Sequence, residues 1–214
     1  MERIIKYLIN CGADVNYESH TDPLTEAAKL NNMNLVKYLI DNGADVKKNN
    51  QPLTWSIRHR NEDLVKYLVY SGAIINNLGD EYEIPLVTAV NNNNNENIVR
   101  FLIRNGADIN LGGSNQYDNT PLTRAVDTNN ENITRCLIEF GADINKGGRY
   151  GEIPLNYAIA NENESIVRFL VDNGADINKE GENDLPLFKA IRMNNEGIVR
   201  YLVDHGADIN RSKL

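Results

Sequence analysis

Six Pro-Leu pairs, at Pro23, Pro52, Pro85, Pro121, Pro154 and Pro186, are each followed by a Gly-Ala pair, at Gly43, Gly72, Gly106, Gly141, Gly174 and Gly206. The proline-to-glycine distance is 20 residues every time except from Pro85, where it is 21. The glycine-to-proline distance runs from 9 to 15, counting from Gly12 onward. A packed unit tolerates almost no change in length. An exposed connection tolerates much, because closure entropy grows slowly with loop length. The 20-residue block is therefore the repeated packed unit, and whatever fold the chain adopts must stack that unit on itself.

Two helices are predicted inside each block. Proline suits the first helical position, where no N–H is needed. Apolar residues then return at helical spacing: Leu122, Ala125 and Val126; Leu155, Ala158 and Ile159; Leu187, Ala190 and Ile191. After a polar break comes a second apolar set, such as Ile166, Val167, Phe169, Leu170 and Val171, stopped by a glycine that accepts left-handed geometry. An asparagine heads each second helix, at Asn32, Asn61, Asn95, Asn130, Asn163 and Asn195. It is suited to capping the free N–H groups there. Glu62, Glu96, Glu131, Glu164 and Glu196 follow it, each four residues before a base; Glu2 and Lys6 repeat the pairing. These are read as solvated intrahelical pairs, with a docking stripe as the other reading. Aligned on its neighbours, the asparagine run 91–95 fills the end of a first helix and the connection before Glu96. It predicts an interhelical loop, not a linker that splits the chain.

The residues Asn119-Thr120-Pro121-Leu122-Thr123-Arg124-Ala125 match one half of a known pattern, and Ile166 through Asn178, ending in Gly-Ala-Asp-Ile-Asn, match the other. With six copies in phase, the chain resembles the ankyrin repeat family over essentially its whole length. The resemblance implies an all-α fold, an ankyrin-repeat α/α solenoid with β-hairpin finger loops. It frames residues 1–214 as a single array: a partial repeat 1–17, then six repeats at about 18–47, 48–80, 81–116, 117–149, 150–181 and 182–214. Several positions depart from the family pattern. The threonine before proline survives only as Thr120, being Asp22, Gln51, Ile84, Ile153 or Leu185 elsewhere. The family histidine is replaced throughout, by Thr25, Thr54, Val87, Thr123, Asn156 and Phe188. These changes predict reduced local stability. At the interhelical glycine stand Asn31, Asn129 and Asn194, which tolerate left-handed geometry, but also Arg60 and Glu162, which fit it less well. Ile74 replaces the turn aspartate and makes the third repeat the most irregular.

The chain begins within a second helix, and Ile4, Ile5, Leu8 and Ile9 at one end, with Leu187, Ile191, Ile198 and Leu202 at the other, follow interior patterns. They predict that the array continues in a longer polypeptide, or that its ends fray or associate end to end with another chain.

Nothing in the sequence forms a catalytic constellation. His20, His59 and His205 fall in different repeats and different register, without a cysteine or second histidine at metal-ligand spacing. Gly112-Gly113 and Gly147-Gly148 lack the strand–loop–helix setting of a phosphate cradle and read as turns. The sequence predicts no enzyme, no cofactor and no metal. Net charge is −8, which disfavours nucleic acid and anionic membranes as partners, and no apolar stretch approaches a membrane span. Cys11 and Cys136 make no disulfide framework, and the N-terminus lacks a signal peptide; an intracellular, cytoplasmic protein is expected. Cys136 falls in the column of Tyr38, Tyr67, Phe101, Phe169 and Tyr201 and reads as a core residue.

In the ankyrin family the fingers and first helices line a concave groove, so the resemblance points to a non-catalytic interaction module that binds a protein or peptide there. The alternative is a substrate-recruiting arm or spacer of a larger polypeptide, such as a ubiquitin-ligase adaptor or multidomain enzyme. One outward column runs Glu26, Trp55, Thr88, Arg124, Tyr157 and Lys189, and the next Leu30, His59, Asn92, Thr128, Asn161 and Met193. Both vary while the core columns hold steady. Trp55, Arg124 and Tyr157 are the expected centre of the groove, with His59, Lys189 and Met193 beside them and the finger tyrosines Tyr82, Tyr117 and Tyr150 at its edge. The competing reading packs these aromatics on the adjacent finger or helix. A basic cluster of Lys47, Lys48, Arg58, His59 and Arg60 suits either an acidic peptide or water.

Overall fold

The protein is described by a computed structural model covering residues 2–17, 22–76, 84–91, 95–112, 119–182 and 184–210. Among the described residues there are 13 α-helices, one short 3-10 turn and no strand. The chain divides into two compact units, Met1–Ala107 and Asp108–Leu214. The first holds α1 (Glu2–Asn10), α2 (Pro23–Lys29), α3 (Met33–Asp41), α4 (Gln51–Arg58), α5 (Glu62–Tyr70), α6 (Pro85–Asn91) and α7 (Glu96–Arg104). The second holds α8 (Pro121–Asp127), α9 (Glu131–Glu139), the 3-10 turn Arg149–Gly151, α10 (Pro154–Ala160), α11 (Glu164–Asp172), α12 (Pro186–Arg192) and α13 (Glu196–Asp204).

Each helix starts and stops where the sequence places the signal. Proline opens α2, α6, α8, α10 and α12 and is the second residue of α4. The side-chain oxygens of Asn32, Asn61, Asn130, Asn163 and Asn195 accept N–H bonds at 3.0 or 3.1 Å from the residue three further on. Asn95 is different: its amide reaches Ile57 O at 3.4 Å and caps nothing. Of the asparagine run, Asn91 ends α6 and Asn95 precedes α7, while 92–94 lie outside the described residues. The expected left-handed turns are all present, at Asn31, Arg60, Asn129, Glu162 and Asn194, with φ between 51° and 55°. A threonine–histidine pair is not needed to open a first helix here. Asp22 takes the place of Thr120: each accepts the N–H three residues on, from Thr25 at 2.8 Å and Thr123 at 3.1 Å. Ile153 and Leu185 provide no such bond.

Within each unit the first helices pack side by side, α2, α4 and α6 in one and α8, α10 and α12 in the other, and each lies on its own second helix. Ala27, Ala28, Ala89, Ala125, Ala158 and Ala190 have no exposed surface, so small side chains set the close approach. Leu39, Leu68, Leu102, Leu137, Leu170 and Leu202 fill the corresponding place on the second helices and are also fully buried. Such leucines contribute about 1.5–3 kcal/mol each. Cys136 is buried as expected, and Cys11 is exposed; neither forms a disulfide. Ile4 and Leu8 on α1 and Ile191 on α12 are at least half exposed.

The recurring Gly-Ala-Asp-Ile/Val-Asn run divides its work by position. The glycines take φ between 88° and 96° and end the second helix, so that the alanine N–H reaches back to a helix carbonyl, as from Ala44 to Leu39 at 2.9 Å. The aspartate folds the turn by accepting the N–H two residues on, as Asp176 does from Asn178 at 2.9 Å. The asparagine then crosses to the next repeat. Asn145 donates to Gly174 O at 3.2 Å and accepts from the Asp176 N–H at 2.8 Å; Asn16 and Asn178 make the same two bonds to their neighbours. A lysine one residue after the asparagine position adds a further link: Lys146 and Lys179 reach the preceding asparagine's carbonyl at 2.7 Å, and Lys48 does so at 3.3 Å. Among the described residues, one junction has no asparagine to make the bridge. Lys47 stands at the asparagine position and lies against Gly72, and Ile74 replaces the following aspartate.

The connections expected to be β-hairpins carry no strand among the described residues, and 18–21, 77–83 and 113–118 lie outside them. Where connections are described they close through turns, Gly148 N–H to Glu152 O at 2.9 Å and Gly181 N–H to Asp184 O at 3.1 Å. A side chain at Gly148 would strike Thr123 and Asn119, and one at Gly181 would strike Glu152 and Asn156. Gly147-Gly148 is thus a turn pressed on the start of α8, as its sequence setting suggested.

Two measurements follow from these features. Lys47→Asn should restore two bridge bonds and raise stability to urea by about 1–2 kcal/mol, while Asn145→Ala should lower it by a similar amount. Asp22 gives a pH signature. Burial alone would raise its pKa, but the Thr25 hydroxyl and N–H and the Asn49 amide outweigh that and hold the carboxyl below its usual 3.8. Its stabilisation is therefore present above that value and lost as pH falls through the folded-state pKa. Unfolding free energies of wild type and Asp22→Ala from urea titration should differ by about 1–2 kcal/mol at pH 7, and the difference should shrink as pH falls below the usual carboxylate value of 3.8.

Candidate functional site

In the first unit the outward face of α2 and α4 centres on Trp55. The Arg58 guanidinium lies 4.8 Å from its ring centroid and the Lys29 ammonium 5.8 Å, both within cation–π range. The ring of His59 is 6.2 Å away and tilted by 33°. Its Nε2 lies 2.8 Å from the Lys29 carbonyl oxygen, and because a carbonyl only accepts, Nε2 carries the proton and donates. Lys29 also pairs with Glu26 at 2.8 Å. Leu30 is 56% exposed, and Arg58, His59 and Arg60 are exposed. Thr88, the next residue of this column, does not face outward. It is buried, with its hydroxyl donating to Ile84 O at 3.1 Å. The basic cluster expected around these residues divides, since Lys47 and Lys48 are drawn to the turns of neighbouring repeats.

In the second unit the same column is bound up in internal pairs. Arg124 reaches Asp127 on its own helix at 3.1 Å. The Tyr157 hydroxyl donates to Asn119 Oδ1 at 3.3 Å, and the same oxygen accepts the Arg149 N–H at 2.9 Å. Lys189 pairs with Glu152 at 2.8 Å, with side chains only 16% and 8% exposed. Glu152 also accepts from the Asn156 amide at 2.8 Å, and that amide donates to Asp184 O at 2.9 Å. Burial, the Asp127 carboxylate and the Glu152 carboxylate push the Tyr157 hydroxyl up to about 12, against the pull of Arg149. Tyr157 therefore remains a hydrogen-bond donor at neutral pH. Thr128, Asn161 and Met193 are exposed. Asn161 repeats the role of His59, donating to Asp127 O at 3.2 Å and to Val126 O at 2.8 Å. Tyr150 sits left-handed in the 3-10 turn, partly exposed, with Arg149 4.9 Å from its ring. Tyr82 and Tyr117 lie outside the described residues.

The counter-residues Asn119 and Glu152 are absent from the sequence-derived site. Each stands two residues before a repeat proline and meets the outward residue of the following repeat. That fixed offset was present in the sequence as a signal. Among the described residues there is no cluster of three or more metal-ligating side chains, and no helix is long and apolar enough to cross a membrane.

A family model described as ankyrin repeats (3 copies) matches residues 1–79, 74–148 and 146–213. The chain belongs to the ankyrin-repeat family. A search of curated proteins finds no match. Ankyrin repeats are in general protein–protein interaction modules and typically non-catalytic. The internal pairs of this ankyrin chain have a measurable consequence. Lys189→Met leaves the Glu152 carboxylate buried without its cation and should lower stability by about 2–4 kcal/mol. Adding Glu152→Gln should recover most of that loss in a urea-denaturation cycle.

Proposed function

We propose that the chain is a non-catalytic interaction module that grips a partner protein or peptide across the outward faces of its first helices and the loops beside them. The observation that supports this is the contrast between columns. Inward positions such as Leu24, Leu53, Leu122 and Leu155 repeat one residue and are buried. Outward positions carry Trp55, Arg124 and Tyr157, all partly exposed. Internal pairs account for part of that variety, at Arg124 and Tyr157, but tryptophan, arginine and tyrosine are also the residue types that anchor interfaces. His59, Lys189 and Met193 border the faces. Tyr82, Tyr117 and Tyr150 belong to the same reading through their place in the connections, which we take as finger loops of the six repeats set out above. The reduced thiols of Cys11 and Cys136 suit the cytoplasm. In this reading, proteins captured from cell extract by the wild type are lost with Trp55→Ala plus Tyr157→Ala, in a variant whose circular dichroism is unchanged. Capture that does not depend on either residue would remove the first-helix faces from the proposal.

A further inference from the structure

Within each unit a second helix meets the next one through a recurring set of contacts. The base of the glutamate–base pair lies over the following aromatic ring, as Lys6 does on Tyr38 and Arg168 on Tyr201. The tyrosine hydroxyl donates back to the preceding helix, from Tyr38 to Asn10 at 2.7 Å and from Tyr201 to Asp172 at 2.9 Å. The glutamate accepts from the first turn of the following helix, Glu62 from Asn97 at 3.0 Å and Glu131 from Ser165 at 2.8 Å. The bridging asparagine then joins the turns, as Asn16 joins Gly43 and Asp45. On α13 the preceding side of this set is exposed: Arg200 and Glu196, with side chains 74% and 76% exposed, then Asp204 and Asn210. On α1 the following side is exposed. Tyr7 is 67% exposed, Arg3 is exposed, and Gly12 and Asp14 occupy the places that Gly43 and Asp45 hold against Asn16.

Arg3 gives the match its charge. At its position the other second helices carry Asn34, Asp63, Asn97, Asn132, Ser165 and Gly197, none of them basic, and the column it would meet ends in Glu196. The apolar residues agree. Ile4 and Leu8 on α1 are 64% and 50% exposed and Ile191 on α12 is 52% exposed, whereas Leu35, Leu39 and Ile159 at the equivalent positions are at most 2% exposed. We infer that the α13 end of one copy docks head to tail on the α1 end of a second copy of this chain. Arg200 then lies over Tyr7, the Tyr7 hydroxyl donates to Asp204, Arg3 meets Glu196, and the Asn210 amide joins the Gly12 carbonyl and the Asp14 N–H. Ile191 of one copy and Ile4 and Leu8 of the other come to the same junction and lose contact with water there. A second copy fits better than an unrelated protein, because both complementary sets of groups stand on one chain. Each copy uses two different surfaces, so association runs past a dimer unless the rotation closes a ring. The inference does not depend on the outward faces and holds whether or not they bind a partner.

Exchange of the two charges tests it. Arg3 and Glu196 are exposed in the first turns of α1 and α13. Glu196 gives up only its exposed pair with Arg200, which stabilises little. Arg3→Glu and Glu196→Arg should therefore both fold, as circular dichroism would verify. Sedimentation equilibrium of the wild type from about 1 μM to about 1 mM should show a mean mass that rises with concentration above that of the monomer. Arg3→Glu sets two carboxylates together at the junction and Glu196→Arg sets two guanidinium groups together, so each variant alone should associate about tenfold or more less tightly. An equal mixture of the two variants again pairs unlike charges and should regain the association of the wild type, as should the double variant. A wild type that stays monomeric over the whole range overturns the inference. So does association that neither variant weakens, or that only one of them weakens, which would pair like end with like end. A mixture no more associated than its separate components overturns it as well.

Discussion

Helices of seven to nine residues are too short to stand alone. An α-helix leaves its first four N–H groups and last four carbonyls without internal partners, which is most of the backbone in a helix of this length. Every repeat of this protein must find those partners elsewhere. Local side chains satisfy some of them: asparagine at the head of the second helix, glycine at its tail, Asp22 or Thr120 before the first. The rest of the stabilisation comes from the neighbouring repeat, through buried leucine and alanine columns and the asparagine bridge between turns. One repeat without its neighbours would lose both, which is why the block length is constant and the loops are not.

The same dependence explains the opposite face. The glutamate–base pairs on the second helices are formed, as between Glu96 and Arg100 at 2.8 Å and between Glu131 and Arg135 at 2.7 Å. Exposed pairs of this kind stabilise little by themselves. Their bases, however, stack on the aromatic residue of the next repeat: Arg135 on Phe169 at 4.2 Å, Arg168 on Tyr201 at 4.4 Å, Lys6 on Tyr38 at 5.1 Å. The charge ladder is thus joined to the packing between repeats, through cation–π contacts that the spacing of glutamate and arginine alone does not reveal. Cys136, standing in the aromatic column, forgoes that contact and is buried instead.

On the outward face, variety among repeats has two origins. Part of it is internal matching. Tyr157 differs from Lys189 because Asn119 differs from Glu152, and each pair is made within the second unit. Part of it is not matched internally among the described residues, as with Arg60, which adopts a left-handed turn that asparagine adopts more easily. The second kind is the better guide to recognition, because the first is already accounted for by packing and desolvation.

The sequence by itself determined the helices, their ends, the repeat length and the buried columns, since these follow from local chemistry recurring in phase. Proline can open a helix, asparagine can cap one, and glycine can end one, wherever they stand. It also determined which columns vary. Only the tertiary structure decided what that variation is for. Whether Lys189 meets water or Glu152 depends on a residue 37 positions away, brought near by stacking. Lys47 and Lys48 leave the basic cluster for the same reason: their partners lie in other repeats. Local propensity carries no information about which side chain faces which across a junction; that is fixed by the distance and angle at which one helix pair rests on the next.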